Sequence, residues 1–197
     1  MYNNLSNLVI GFHGCDRSVF DKVVRDGEPM IRSENSYDWL GSGFYFWENG
    51  YHRAIDWANT SPKITTSAVI GAVIDLGYCL NLTDYNSATV LRNSYDILKF
   101  RCEQSNERLP SNKRYTEDGD ALLRDLDCAV INQIHRLNRR HQLPSYDSVR
   151  GIFTEGGEVY PGSGFMVKTH VQICIVNPNC IKGVFSPREF DAAYRAP

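Results

Sequence analysis

Gly41–Ser42–Gly43–Phe44–Tyr45–Phe46 is the stretch that decides how this chain reads. Two glycines frame a serine, and an apolar-aromatic run follows at once. Gly41 and Gly43 allow backbone angles and close approaches that a side chain would block. The run reads as a strand, and its alternation sends Tyr45 to the face opposite Phe44 and Phe46. A helix-like segment, Glu48 to Asn59, comes next. Upstream, the apolar run Leu8 to Phe12 reads as a buried strand that ends at His13–Gly14, setting a ring donor/acceptor beside a bare backbone amide.

Working outward, Asp16 to Val24 carries a helical stripe, with Asp16 or Ser18 as cap and Gly27 as stop. Glu28 to Leu40 is polar and turn-rich, so it reads as a loop. Ala68 to Leu76 is rich in β-branched residues and predicts a central strand, which Cys79 to Leu82 continues after a break at Gly77. Two helical patterns follow, Ala88 to about Glu103 and Asp120 to about Arg140, the second with Leu122, Leu126, Val130, Ile134 and Leu137 on one face. Gln104 to Gly119 joins them as a charged connection. Strands return at Val149 to Phe153, Val167 to Val176 and Ile181 to Phe185. Strand-rich ends around a helical middle argue for an α+β fold.

At 197 residues, with 42% apolar and 22% charged residues, the chain reads as one globular domain, residues 1–197. A formal net charge of −2 exerts no overall pull toward nucleic acid or anionic membrane. No apolar run is long enough for a membrane helix and the start lacks a signal pattern, so the expected place is the cytoplasm and no membrane partner is expected. Six scattered cysteines form no C-x-x-C pair. Buried free thiols are the expectation, ahead of disulfides or zinc, and no metal site is predicted. Cys15, two residues after His13, is a conceivable nucleophile, but no third group is seen to orient the pair.

His13–Gly14, then Gly41 to Phe46 and Ala54, resemble the first two motifs of the diphtheria-toxin-like and poly(ADP-ribose)-polymerase-like ADP-ribosyltransferases. In that family a His, a Tyr and a late-strand residue, usually Glu, build an NAD pocket. The late strand here is Thr169 to Pro178, and Gln172 falls at the Glu position, so the signature reads His13, Tyr45, Gln172. The resemblance implies a split β-sandwich with residues 84–142 as a helical insertion. It also implies NAD as co-substrate, with His13 on a ribose hydroxyl, the Gly14 backbone on the nicotinamide amide, and Arg32, Gly43, Tyr45 and Trp57 as further NAD contacts. Trp57 stands beside Asp56, which occupies the place of the family's second stacking aromatic. Arg53 replaces a serine that contacts the amide in the polymerases.

The implied activity is mono-ADP-ribosyl transfer from NAD to a protein or nucleic-acid acceptor. A Gln at position 172 keeps a hydrogen bond but supplies neither charge nor a carboxylate base. That leaves open an inactive NAD- or ADP-ribose-binding module and an NAD glycohydrolase. The glycine-rich loop Thr154 to Phe165 offers Glu155 and Glu158 on the acceptor side, together with His170 on the Gln172 face. Tyr45→Phe keeps the ring and is expected to be mild.

Overall fold

The computed structural model describes residues 8–113, 123–189 and 191–194. Strand β1 (Leu8–Asp16) organises it. It pairs antiparallel with β3 (Ser67–Asp75) along its whole length, from Leu8 opposite Asp75 to Asp16 opposite Ser67. On its other side it meets β2 (Phe44–Glu48) at only two positions, Gly11 opposite Glu48 and Phe12 opposite Trp47. Beyond Phe12 the two strands are no longer paired, within one continuous sheet.

The strand predicted for Leu8 to Phe12 thus runs on through His13 to Asp16. The Asp16 carboxylate accepts from the Ser18 amide at 3.0 Å and caps α1 (Arg17–Phe20), which continues as π-helical turns over Asp21–Arg25. Gly27, at φ +74°, ends that run as expected. Helix α2 (Tyr51–Thr60) follows β2 and lays Ala54 and Ala58 against the sheet.

The expected continuation of β3 by Cys79 to Leu82 is corrected. Gly77 turns the chain at φ +56°, and the Asp147 carboxylate holds the turn by accepting from the Tyr78 amide at 2.9 Å. Strand β4 (Cys79–Asn81) then joins the opposite edge of the sheet, parallel to β7 (Ser148–Phe153). The reason lies in a partner that is distant in sequence, which local propensity does not encode.

Between β4 and β7 lie α3 (Ser87–Ser105), a two-stranded ribbon of β5 (Asn112–Lys113) and β6 (Leu123–Arg124), and α4 (Asp125–Arg140). Helix α4 begins later than the pattern suggests, because Leu123 and Arg124 pair with β5. Asp120 and Leu122 lie outside the described residues. The two helices pack on each other, and the Ser94 hydroxyl donates to the Val130 carbonyl at 2.9 Å. Strand β8 (His170–Ile175) sits between β7 and β2, and β9 (Ile181–Phe185) closes the far edge on β3. The order is β4-β7-β8-β2-β1-β3-β9, a large mixed sheet flanked by helices, and the fold class is α+β.

Two apolar layers cover the sheet. Phe46, Ile74, Ile173 and Ile175 form one, and Leu40, Leu80, Val149, Ile131 and Cys174 form the other beneath α4. The second half of β8 is buried on both faces, with Ile173, Cys174 and Ile175 fully covered, while His170 to Gln172 are partly exposed. No helix of the described residues is long and apolar enough to cross a membrane.

Candidate functional site

The three motif residues lie on three consecutive strands of the sheet, β1, β2 and β8. His13 stands where β1 leaves β2, and its Nδ1 lies 2.9 Å from the Tyr45 carbonyl. A carbonyl only accepts, so Nδ1 carries the hydrogen and the neutral ring keeps Nε2 as its acceptor. The side chain takes over the bond to β2 that the backbone ladder gives up. Burial lowers the His13 pKa, and the bond to the Tyr45 carbonyl opposes that shift. Gly14 fills the same gap. A Cβ there would stand 2.3 Å from the Ala54 carbonyl oxygen, so the absence of a side chain lets α2 seat directly on β1.

The glycine motif has a packing reason that the sequence does not reveal. Gly41 sits at φ +80°, and a Cβ on it would meet Ile131 at 2.8 Å and Asn132 at 2.9 Å. Asn132 Oδ1 also accepts from the Ser42 amide at 3.0 Å. Helix α4 thus clamps the loop that leads into β2. Gly43 exchanges both backbone hydrogen bonds with Ser33, and a Cβ would lie 2.4 Å from Cys174 Sγ. Its polar groups are spent on protein partners rather than presented to a ligand. Arg32 donates to the Ser42 carbonyl at 2.8 Å and stays exposed at the rim.

Tyr45 faces away from Phe44 and Phe46, as alternation predicts, and shares its face with Trp47, Gln172 and Cys174 through the β2–β8 register. Its hydroxyl is tied down at both ends. It accepts from the Leu40 amide at 2.8 Å and donates to the Gly41 carbonyl at 2.7 Å. Burial raises its pKa far above the phenol range. The expectation that Tyr45→Phe is mild rests on the ring alone and overlooks these two bonds.

Gln172 stands opposite Trp47 on β2 and Gly151 on β7, and among the described residues its side chain makes no hydrogen bond. Around it the structure assembles a group that spacing does not show. Arg53 on α2 reaches Glu155 at 2.9 Å and Asp56 at 3.2 Å. Lys168 also pairs with Asp56 at 3.1 Å. The other Glu155 oxygen lies 3.7 Å from His170 Nε2. The His170 Nδ1 hydrogen is held by the Lys168 carbonyl at 2.7 Å, and burial lowers this imidazole's pKa. Trp47 Nε1, Arg53 Nε and His170 Nε2 are all buried here without a hydrogen-bond partner.

The loop acids therefore separate. Glu155 is buried and ion-paired, whereas Glu158 stays outside and accepts from the Gly162 amide at 2.8 Å. Trp57 leans on Trp47 with ring centroids 5.9 Å apart and remains partly exposed. From Trp47 the aromatic contacts continue through His170 to Trp39 and Phe153. Cys15 is buried, and burial pushes its thiol up to about 11, which argues against a thiolate nucleophile. All six cysteines are free.

A cleft of about 680 Å³ opens between β7, the chain after β4 and the helices α3 and α4. His13, Tyr45 and Gln172 do not line it, but Gly151 and Phe153 do, and these are the register partners of Gln172 and His170. The cleft thus adjoins the Gln172 face across one strand.

No family model matches the chain, and no solved structure matches it. An uncharacterized protein of Methanocaldococcus jannaschii is 24% identical to it over 87% of this chain and 83% of that protein.

Proposed function

We propose that the chain is an NAD-dependent mono-ADP-ribosyltransferase built on a split β-sandwich. One observation carries this reading. Residues 13, 45 and 172, which lie far apart in sequence, stand on three neighbouring strands, near the point where the β1–β2 pairing ends and α2 closes on Gly14. Neighbouring strands are what the resemblance to the transferase family requires: Tyr45 and Gln172 share the Trp47 face, and His13, on the Phe46 face, reaches β2 through the Tyr45 carbonyl.

In this reading NAD lies where the β1–β2 pairing ends. His13, held by the Tyr45 carbonyl, offers its remaining ring nitrogen to a ribose hydroxyl. Gln172 offers an amide to the nicotinamide ribose as positive charge develops at the anomeric carbon. Its side chain is not engaged by the protein, so it is available for such a contact. Preorganised contacts of this kind contribute about 3–4 kcal/mol each.

The test is nicotinamide release from NAD by the purified protein, alone and with lysate. Release that Gln172→Ala lowers by about 100- to 1,000-fold, with little change in NAD affinity, supports the assignment. A folded protein that binds NAD and releases nothing overturns it. That outcome favours the second reading, a binding module. The observation behind this alternative is that Glu155, the one buried acid among the described residues, is engaged by Arg53 and supplies no unpaired carboxylate.

A further inference from the structure

The cleft between β7 and the helical pair is too large to be a packing defect. It is a solvent-open cleft of about 680 Å³ with a largely apolar and aromatic lining. The volume falls in the range of small-molecule sites. Gly151 lies in the wall on β7, and the Ser94–Val130 bond holds α3 against α4 on the other side.

The lining is specific in chemistry. Tyr95 gives flat apolar surface, and the Trp39 and Phe153 rings lie behind the Arg124 guanidinium. The Arg124 guanidinium lies 4.2 Å from the Trp39 ring centroid and presents a cationic plane. Arg92 adds a second cation at the exposed mouth, and Asp127, the single acid among the described lining residues, is paired with Arg124 at 3.5 Å. Flat rings with net positive charge select a planar ring that carries an anion. Aromatic and guanidinium planes stack on bases in this way.

We propose that the cleft binds the acceptor of the transfer reaction and that this acceptor is a nucleotide, with its base against Tyr95 and the Arg124 guanidinium and its phosphate on Arg92. The inference rests on the transferase reading and names the substrate class of that site. Gly151 and Phe153 set the nucleotide one strand away from Gln172 and His170. In the transfer, the C–N bond from the anomeric carbon to nicotinamide breaks, and nicotinamide leaves with the bonding pair. A nitrogen or oxygen of the nucleotide bonds to that carbon and releases its proton to water.

Calorimetric titration with uridine 5′-monophosphate, with NAD in excess, tests the binding separately from the chemistry. We expect uridine and inorganic phosphate each to bind at least tenfold more weakly than the monophosphate. We expect Arg92→Ala, on an exposed face, to weaken binding about tenfold, and Leu91→Trp to block it by filling the cleft while NAD still binds. No binding, equal binding by both variants, or displacement by NAD overturns the proposal. A short single-stranded oligouridylate that binds more tightly than the mononucleotide identifies a strand as the source, and weaker binding identifies the free nucleotide. Mass spectrometry of the bound nucleotide then reads a gain of one ADP-ribose. Nucleotide binding without nicotinamide release would sink the transferase reading and leave the nucleotide site standing.

Discussion

Tyr45→Phe removes one oxygen atom and leaves the ring in place, so it isolates what that hydroxyl contributes. The hydroxyl satisfies the Leu40 amide at 2.8 Å and the Gly41 carbonyl at 2.7 Å, and Leu40 is fully buried. Neither group has an equivalent replacement. For Gly41 the nearest alternative is the Cys174 thiol at 3.6 Å, a weak donor. A buried backbone group left without a partner costs about 1–3 kcal/mol. The amide, with no substitute, takes the upper part of that range, and the carbonyl takes the lower part. The expected loss is about 2–4 kcal/mol, a large share of the 5–15 kcal/mol that stabilises an ordinary domain. For a chain of this size the melting temperature falls by about 5–15 °C. Urea unfolding followed by tryptophan fluorescence reads the change as a lower midpoint at constant m. If the midpoint shifts by less than the equivalent of about 0.5 kcal/mol, a partner other than this hydroxyl satisfies the loop, and the argument from these bonds fails.

Gly14→Ala places a methyl group 2.3 Å from the Ala54 carbonyl, a backbone atom that cannot rotate away. We expect a loss of about 3 kcal/mol or more as α2 lifts, and an unchanged thermal melt would show that α2 does not seat on Gly14. Gln172→Ala is expected to leave stability within about 0.5 kcal/mol, since no protein partner is lost, so its effect on nicotinamide release is separable from folding. His135 on α4 is buried with both ring nitrogens unpartnered, and burial, then Arg139 and Arg32, lowers its pKa to about 4. The folded state therefore resists a proton that the unfolded chain accepts near 6.5. Stability is present above pH 6.5 and falls by about 3 kcal/mol as pH drops toward 4. His135→Phe should flatten that stretch of a stability–pH curve, and an unaltered slope would assign the acid sensitivity to other groups.

Much of the strand and helix content was legible in the sequence because it follows from local periodicity. The β-branched run before Gly77 forms β3, Ile181 to Phe185 forms β9 as read, and Tyr45 faces away from Phe44 and Phe46 because strand alternation leaves no other option. Gly27 and Asp16 terminate and cap their helix because those roles depend on backbone angle and a nearby oxygen. What local chemistry cannot encode is which distant group arrives. Nothing near Gly77 announces that Asp147 will redirect the chain and carry β4 to the far edge. Nothing in Gly41–Ser42–Gly43 names Ile131 and Asn132 as the neighbours that crowd Gly41, or Cys174 as the one that crowds Gly43. Glu155, read as an acceptor-side acid of the glycine-rich loop, is buried and paired with Arg53, which lies more than a hundred residues earlier. The sequence by itself determined the periodic elements and the residue types of the motifs. Tertiary structure alone decided their partners, because ion pairs, orphaned donors and clefts are set by distances through space, and those exist only once the sheet has closed.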